Sequence, residues 1–158
     1  MEKSKVTRLL AALTAEQAGL AGFISLLERE QALLVENLSD QLLELAEKKT
    51  NFTLDLNRLA QQRLALLQEF IPQLGMDSIQ TWLNAHSPEC MAVWQSILDL
   101  AKRSRQLNRT NGELIQIKLR HNQQTLAALS NAASKANLYG PDGQPDFSPG
   151  SGRSLGCG

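Results

Sequence analysis

The chain has 158 residues, of which 42% are hydrophobic, 20% charged and 4% aromatic. This length and composition fit one soluble domain with a core, and the abundance of leucine over β-branched residues favours helices over strands. The net charge is zero, but residues 101–137 hold seven Lys or Arg against the single Glu113. That segment attracts acidic partners, and charge alone does not choose among nucleic acid, lipid and protein.

The two cysteines, Cys90 and Cys157, are too few for a disulfide framework or a metal half-site, which favours a reducing compartment. The apolar run Leu9–Leu13 near the N-terminus has five residues, below the roughly 7–15 of a signal peptide. No run approaches the roughly 20 apolar residues of a membrane span. We therefore predict a cytoplasmic protein with no stable membrane insertion.

The first part of the chain predicts two long helices. From Val6 to Leu38 a series of residues recurs in alternating four- and three-residue steps and is apolar except at Gln17 and Gln31, which indicates a first helix over about residues 3–36. Asn37 or Ser39 is expected to cap the second helix, because a short polar side chain can accept a free backbone N–H.

Two basic residues, Lys49 and Arg63, lie on the apolar seam of this second helix, which ends before Pro72. We expect their methylene stems to cover the edge of the core while their charged groups reach water. A role in binding is the alternative interpretation.

A short third helix follows Gly75, with Asp77 or Ser78 as its expected cap. Pro88 closes it and suits the first turn of a fourth helix, which is the longest and runs to about Ala136.

The composition changes at Leu138, because the remaining segment contains six of the ten glycines and three of the five prolines. We predict a helical domain over residues 1–137 and a flexible tail over residues 138–158. The expected fold is all-α, an elongated antiparallel helical bundle with coiled-coil-like packing and a flexible C-terminal tail.

No group of residues predicts catalysis or a cofactor. His86 and His121 both lack the Glu three residues upstream that a di-iron bundle uses, so no metal site is expected. Asn111-Gly112 is an isolated pair rather than a glycine-rich phosphate loop. Nucleic-acid binding is disfavoured because no aromatic residue for base stacking lies among the cations of the fourth helix.

The polar positions of the fourth helix have two interpretations. Gly112 costs about 1 kcal/mol relative to alanine inside a helix, and Asn108, Asn111 and Asn122 place amides on the apolar seam. These residues indicate either a local kink or buried polar register pin, or a groove where another helix approaches closely.

The chain resembles the FlgN-like flagellar chaperones in a series of features along its length. In order, these are Leu10, Leu13, LLEREQALL (26–34), Lys49 followed by Leu56, Leu59 and Arg63, LNRTNGELIQIKL (107–119) and NLYGPDG (137–143). The resemblance covers about residues 6–143. Its most specific part is N-x-x-N-G-x-L-I followed by YGPDG, because the leucine pattern alone fits any helical bundle.

The resemblance implies a chaperone that binds the C-terminal helices of hook-associated proteins, keeps them competent for export and delivers them to the flagellar type III export gate. The region that binds this cargo then lies at about residues 104–136, where helix-in-groove packing needs no cofactor. Its candidate contact residues are Leu107, Asn108, Asn111, Gly112, Leu114, Ile115, Ile117, Leu119, Asn122 and Leu126. Leu129 closes the predicted cargo segment.

Tyr139 is implied to dock on the cytoplasmic domain of the export gate, with its associated export components as further partners. Packing of this tyrosine against the end of the fourth helix is the structural alternative. For the whole protein, a generic coiled-coil scaffold or oligomeric bundle is the other hypothesis, because it would show the same heptads.

Overall fold

A computed structural model describes residues 1–138, which form four α-helices. They are α1 (Glu2–Val35), α2 (Ser39–Gln68), α3 (Met76–His86) and α4 (Pro88–Leu138). The predicted all-α class and helix order are confirmed, and α4 is continuous through Gly112. By packing, the chain divides into two units, Met1–Leu114 and Ile115–Gly158. The predicted tail lies outside the described residues from Tyr139 onward.

The connection between α1 and α2 differs from the prediction. Asn37 has a φ of 59°, and the Leu38 N–H donates to the Leu33 carbonyl at 3.0 Å while the Asn37 N–H donates to Leu34 at 3.4 Å. This is a Schellman motif, in which the asparagine ends α1 because it tolerates the left-handed conformation. Leu38 is the N-cap of α2, so the prediction of Asn37 or Ser39 as the cap is wrong.

The start of α3 also corrects a prediction, because its N-cap is Gly75 rather than Asp77 or Ser78. Ser78 lies in the first turn, where its hydroxyl oxygen accepts the Gly75 N–H at 2.8 Å. Asp77 lies in the same turn, where a negative charge favours the helix dipole. Both polar residues therefore support the helix start from inside the helix.

Helices α1 and α2 pack antiparallel, and α4 runs beside α1 in the same direction as α1. From the N-terminus of α1 toward its C-terminus, Gln17 Nε2 donates to Ser96 Oγ at 2.8 Å, and then Glu28 Oε1 accepts a hydrogen bond from Arg103 at 2.8 Å. The contacts advance along both helices in the same order, so α1 and α4 are parallel. The core buries apolar side chains from all four helices and from the segment after α2: Leu9, Leu13, Leu20, Leu67, Ile71, Ile79, Leu83, Cys90, Trp94 and Ile97. A smaller cluster joins α1 and α2 through Leu26, Leu33 and Leu45.

Two ion pairs fix the register between α1 and α2. Lys49 Nζ lies 3.2 Å from Glu30 Oε1, and the Arg63 guanidinium is bonded to the Glu16 carboxylate. Both glutamates are buried, at 5% exposure for Glu16 and 6% for Glu30. The Arg63 guanidinium also lies over the ring of Trp94, 5.1 Å from its centroid. The expectation that the two cations extend into water is therefore wrong, because each pairs with a buried carboxylate of α1.

By length and composition alone, α1 is a candidate membrane span, contrary to the prediction that no segment is apolar enough. The core helix of a soluble protein passes the same test. In this bundle Leu9, Leu13 and Leu27 of α1 are fully buried. Burial inside the bundle covers 33% of its most apolar window and so accounts for part of its apolar character.

Candidate functional site

Asn111 is the most deeply buried of the predicted cargo residues, with no exposed surface. Its side-chain Nδ2 donates to the Leu27 carbonyl at 2.9 Å and to Glu30 Oε1 at 2.8 Å. Glu30 also accepts the Lys49 ammonium, so one buried carboxylate links α1, α2 and α4. These contacts support the interpretation of Asn111 as a buried polar residue that sets helix register.

The residues around Asn111 differ in exposure along the first unit. Leu107 and Leu114 are half-buried, while Asn108 and Gly112 are exposed. The two asparagines of the N-x-x-N-G motif therefore have different environments. Asn108 is accessible to a partner, and Asn111 is committed to hydrogen bonds within the chain.

From Ile115 onward α4 exposes a row of apolar side chains. Ile115 is 37% exposed, Leu119 50%, Leu126 66% and Leu129 62%, and Asn122 is exposed among them. Their spacing alternates four and three residues, so they lie on one face of the helix. We call these five residues the exposed stripe.

Ile117 is exposed as well, but it does not belong to the exposed stripe. It lies two positions from both Ile115 and Leu119, and residues two apart point to nearly opposite sides of a helix. Tyr139 lies outside the described residues. The structure thus brings Ile115, Leu119, Asn122 and Leu126 onto one face and leaves Ile117 on another.

The charges close to this face are cationic. Arg105, Arg109 and Lys118 occupy positions on or beside the three-four spacing that leads into the exposed stripe, and Glu113 is the only acidic residue from 101 to 137. The positive charge of this segment favours an acidic partner, and association with such a partner would weaken as the salt concentration rises. Over residues 1–138, no cluster of three or more His, Cys, Asp or Glu side chains that could hold a metal ion is found.

A second surface feature is an apolar cleft of about 570 Å³ formed mainly by α3 and the segment after α2. The rings of Phe70 and Trp82 lie 4.4 Å apart, and the imidazole of His86 stacks on Trp82 at 4.6 Å. Asp77 also lines the cleft. This cleft was not predicted from the sequence, although Trp82 and His86 are four residues apart and therefore neighbours on one helix face.

A compact helical core combined with an exposed apolar helix face is typical of proteins that bind a helix of a partner. A family model described as FlgN protein matches residues 1–146. The chain therefore belongs to the FlgN family, a family of flagellar chaperones.

Individual relatives agree with this assignment. The chain is 42% identical over 69 residues to the flagella synthesis protein FlgN of Yersinia enterocolitica, across 44% of this chain and 46% of that protein. In that match the chain spans about half the length of the relative. It is 28% identical over 128 residues to the flagella synthesis protein FlgN of Salmonella typhimurium, across 81% of each chain. No solved structure matches.

Proposed function

We propose that this chain is a cytoplasmic flagellar export chaperone that binds the C-terminal helices of hook-associated proteins. It prevents their premature assembly at the hook-filament junction and delivers them to the flagellar type III export gate. Membership of the FlgN family supports the chaperone class. The exposed stripe supports the binding of a helix, and it is the single observation that carries this proposal.

The binding mechanism follows from the shared spacing along α4. Positions such as Cys90, Trp94 and Ile97 are buried in the bundle. The exposed stripe repeats that spacing without being covered, so an amphipathic helix of the client can pack on it as another helix of a bundle would. Burying a leucine contributes about 1.5–3 kcal/mol, and the client's own apolar face is shielded from aggregation in the complex.

The test is a double substitution in the exposed stripe, Leu119→Glu with Leu126→Glu. We expect the Kd for a full-length hook-associated protein, measured by calorimetry, to rise roughly 100-fold or more, because two leucine contacts are lost. The matched control is Leu43→Glu with Leu54→Glu on α2, where both leucines are exposed by more than 60%. Circular dichroism and melting temperature should match wild type in both variants.

Two results contradict this placement. If the folded variant with Glu at 119 and 126 binds the hook-associated protein as tightly as wild type does, the exposed stripe is not the client site. If the wild-type chain instead forms dimers through this stripe and binds no hook-associated protein, the scaffold hypothesis is correct. Sedimentation velocity of the chain alone and with the client separates these results.

Delivery to the export gate is proposed for Tyr139, the single tyrosine of the chain, which follows the last described residue of α4. An aromatic ring with a hydroxyl is a frequent binding anchor, and its truncation often costs about 2 kcal/mol or more. Tyr139→Ala should weaken binding of the client-loaded chaperone to the purified cytoplasmic domain of the gate. Client affinity and melting temperature should stay at wild-type values.

Tyr139→Phe is the matched control, because it keeps the ring and removes only the hydroxyl. We expect it to bind the gate domain much more tightly than Tyr139→Ala does. Equal gate binding by wild type and Tyr139→Ala would assign the tyrosine to the fold instead.

A further inference from the structure

Glycines within the helices of this chain fall into two kinds. In α1, a Cβ added at Gly19 would lie 3.1 Å from Leu59 Cδ1, and one added at Gly22 would lie 3.1 Å from Phe52 Cε1. These two glycines therefore allow α1 and α2 to approach closely. In α4, a Cβ added at Gly112 would meet no heavy atom within 4 Å.

Nothing within the described part of the chain accounts for a glycine at position 112. It lies in the interior of a continuous α-helix, where the backbone suits any L-residue. Glycine lowers the stability of a helix interior relative to alanine, and here it makes no close contact in return. Gly112 is exposed, so the space beside it is accessible to another molecule.

Gly112 also occupies a defined place in the heptad spacing of α4. Gly112, Leu119 and Leu126 follow one another at seven-residue intervals, and so do Ile115, Asn122 and Leu129. These two series form the seam positions of a coiled coil, each of which faces the partner helix. At Gly112 the seam lacks a side chain and leaves a recess.

We propose that Gly112 is the point of closest approach between α4 and the client helix, and that it receives a bulky apolar side chain of the client. The inference rests on the proposed function and deepens it, because it assigns one residue that determines specificity. A small residue at a helix interface lets the two backbones come closer than leucine would allow. The client is thereby recognised by where its largest side chain falls along its own helix.

The occupant is an acidic amphipathic helix of a client protein. The cations Arg105 and Arg109 lie on or beside the seam, so acidic residues flanking the client's apolar face complement them. A second copy of α4 would instead bring cations against cations. Asn122, on the same seam, requires a polar partner and so limits the register in which a client can bind.

The test compares Gly112→Ala and Gly112→Leu with wild type in the full chain, using a full-length hook-associated protein as the probe. Both variants should raise the melting temperature by a few degrees, because each improves helix propensity at an uncrowded site. The Kd should rise with side-chain size, by roughly 5- to 100-fold for leucine, because the recess is filled. Gln124→Leu, on the opposite face of α4, is the control and should leave the Kd unchanged.

The sign of the leucine effect decides the inference. If Gly112 is merely one more position of an apolar seam, Gly112→Leu will bind the client as tightly as wild type or more tightly, and the inference is wrong. If the chain alone forms dimers that Gly112→Leu disrupts, the occupant is a second copy and the inference is also wrong. Wild type that fails to bind any hook-associated protein overturns the proposed function itself, which is a distinguishable result.

Discussion

Two stretches of α4 carry the same alternation of three- and four-residue steps but differ in what covers them. Cys90, Trp94 and Ile97 are buried in the core of the first unit, whereas Leu119 and Leu126 are at least half exposed. The spacing of apolar residues therefore identifies which face of a helix binds something. It does not tell whether the partner belongs to the same chain.

The polar residues show the same contrast. In the covered stretch Asn111 donates two hydrogen bonds to α1. In the exposed stretch Asn122 is accessible to solvent. Substitutions in the covered stretch should therefore change the free energy of unfolding, and matched substitutions in the exposed stretch should change client binding alone.

The largest expected effect on stability comes from the buried ion pair between Glu16 of α1 and Arg63 of α2. Arg63→Leu leaves the Glu16 carboxylate buried without its cation, which typically costs about 3–5 kcal/mol of unfolding free energy. Urea denaturation followed by circular dichroism measures this loss. The double variant Glu16→Leu with Arg63→Leu should recover most of it, since an apolar pair needs no compensation.

That recovery is the informative part of the experiment. A double variant as unstable as Arg63→Leu alone would mean that the contact of Arg63 with Trp94, rather than the buried charge, dominates. Client affinity should stay at the wild-type value in every variant that remains folded. The exposed stripe lies outside the residues that are changed.

The next effect compares two apolar residues on α4 directly. Ile97 is 2% exposed and Leu126 is 66% exposed. Ile97→Ala should lower the free energy of unfolding by about 2–5 kcal/mol, because it leaves a cavity in the core. Leu126→Ala should change it by less than about 0.5 kcal/mol.

Client binding should reverse this order. By calorimetry, Leu126→Ala should weaken binding of the hook-associated protein, and Ile97→Ala should leave it unchanged below its melting temperature. Equal losses of stability for the two variants would show that the exposed stripe is covered in solution by other parts of the chain.

A smaller effect separates the two asparagines of the N-x-x-N-G motif. Asn111→Ala removes two buried hydrogen bonds and leaves the Leu27 carbonyl and Glu30 short of a donor, which costs about 1–3 kcal/mol. Asn108→Ala, at an exposed position, is the matched control and should be nearly neutral for unfolding. Comparable destabilisation by both would mean that the buried hydrogen bonds contribute little.

Much of the fold could be predicted from the sequence because its apolar spacing is regular. Helix order and the long fourth helix follow from that spacing and from Pro72 and Pro88. The helix caps could not be predicted, because Asn37 is compatible both with starting one helix and with ending another, and only its φ of 59° decides.

The buried glutamates show why part of the site was not predicted. Glu16 and Glu30 are fourteen residues apart, and so are their partners Lys49 and Arg63. Equal spacings of opposite charges on two antiparallel seams are a usable signal for interhelical ion pairs. Considered singly, each charged residue resembles a solvated one, since isolated charges are rarely buried.

The candidate site was only partly accessible to sequence reasoning. A helix pattern assigns Leu107, Asn111 and Ile117 to the same segment as the exposed stripe. Burial distinguishes Leu107 and Asn111 from the stripe, whereas Ile117 is exposed and differs only in the side of the helix on which it lies. Asn111 proves to be internal because α1 supplies acceptors at Leu27 and Glu30, which are more than eighty residues away in sequence.

The smallest expected effect is a pH dependence of the free energy of unfolding that originates at Glu16 of α1. Burial raises the pKa of Glu16 above its usual value of 4.5, and the charge and hydrogen bond of Arg63 oppose that rise. A carboxyl whose folded pKa is raised contributes stability that is fully present below the unfolded value. That contribution is lost as the pH rises through the folded pKa. As the pH rises above the unfolded value and through the folded pKa, wild type should therefore lose stability relative to Glu16→Gln, whose side chain does not titrate.

The quantity to measure is how the difference in unfolding free energy between wild type and Glu16→Gln changes with pH, rather than its value at one pH. Glu16→Gln removes both the buried charge and its pairing with Arg63, and because both depend on the ionisation of Glu16, the slope reports their combined effect. Urea denaturation of both proteins at several pH values gives the slope, and Leu126→Gln in the exposed stretch should show none. A slope of the opposite sign would mean that pairing with Arg63 outweighs burial, so that the ionised carboxylate of Glu16 stabilises the fold. In that case the ion pair between Glu16 and Arg63 would itself stabilise the fold, rather than chiefly fixing the register of α1 and α2.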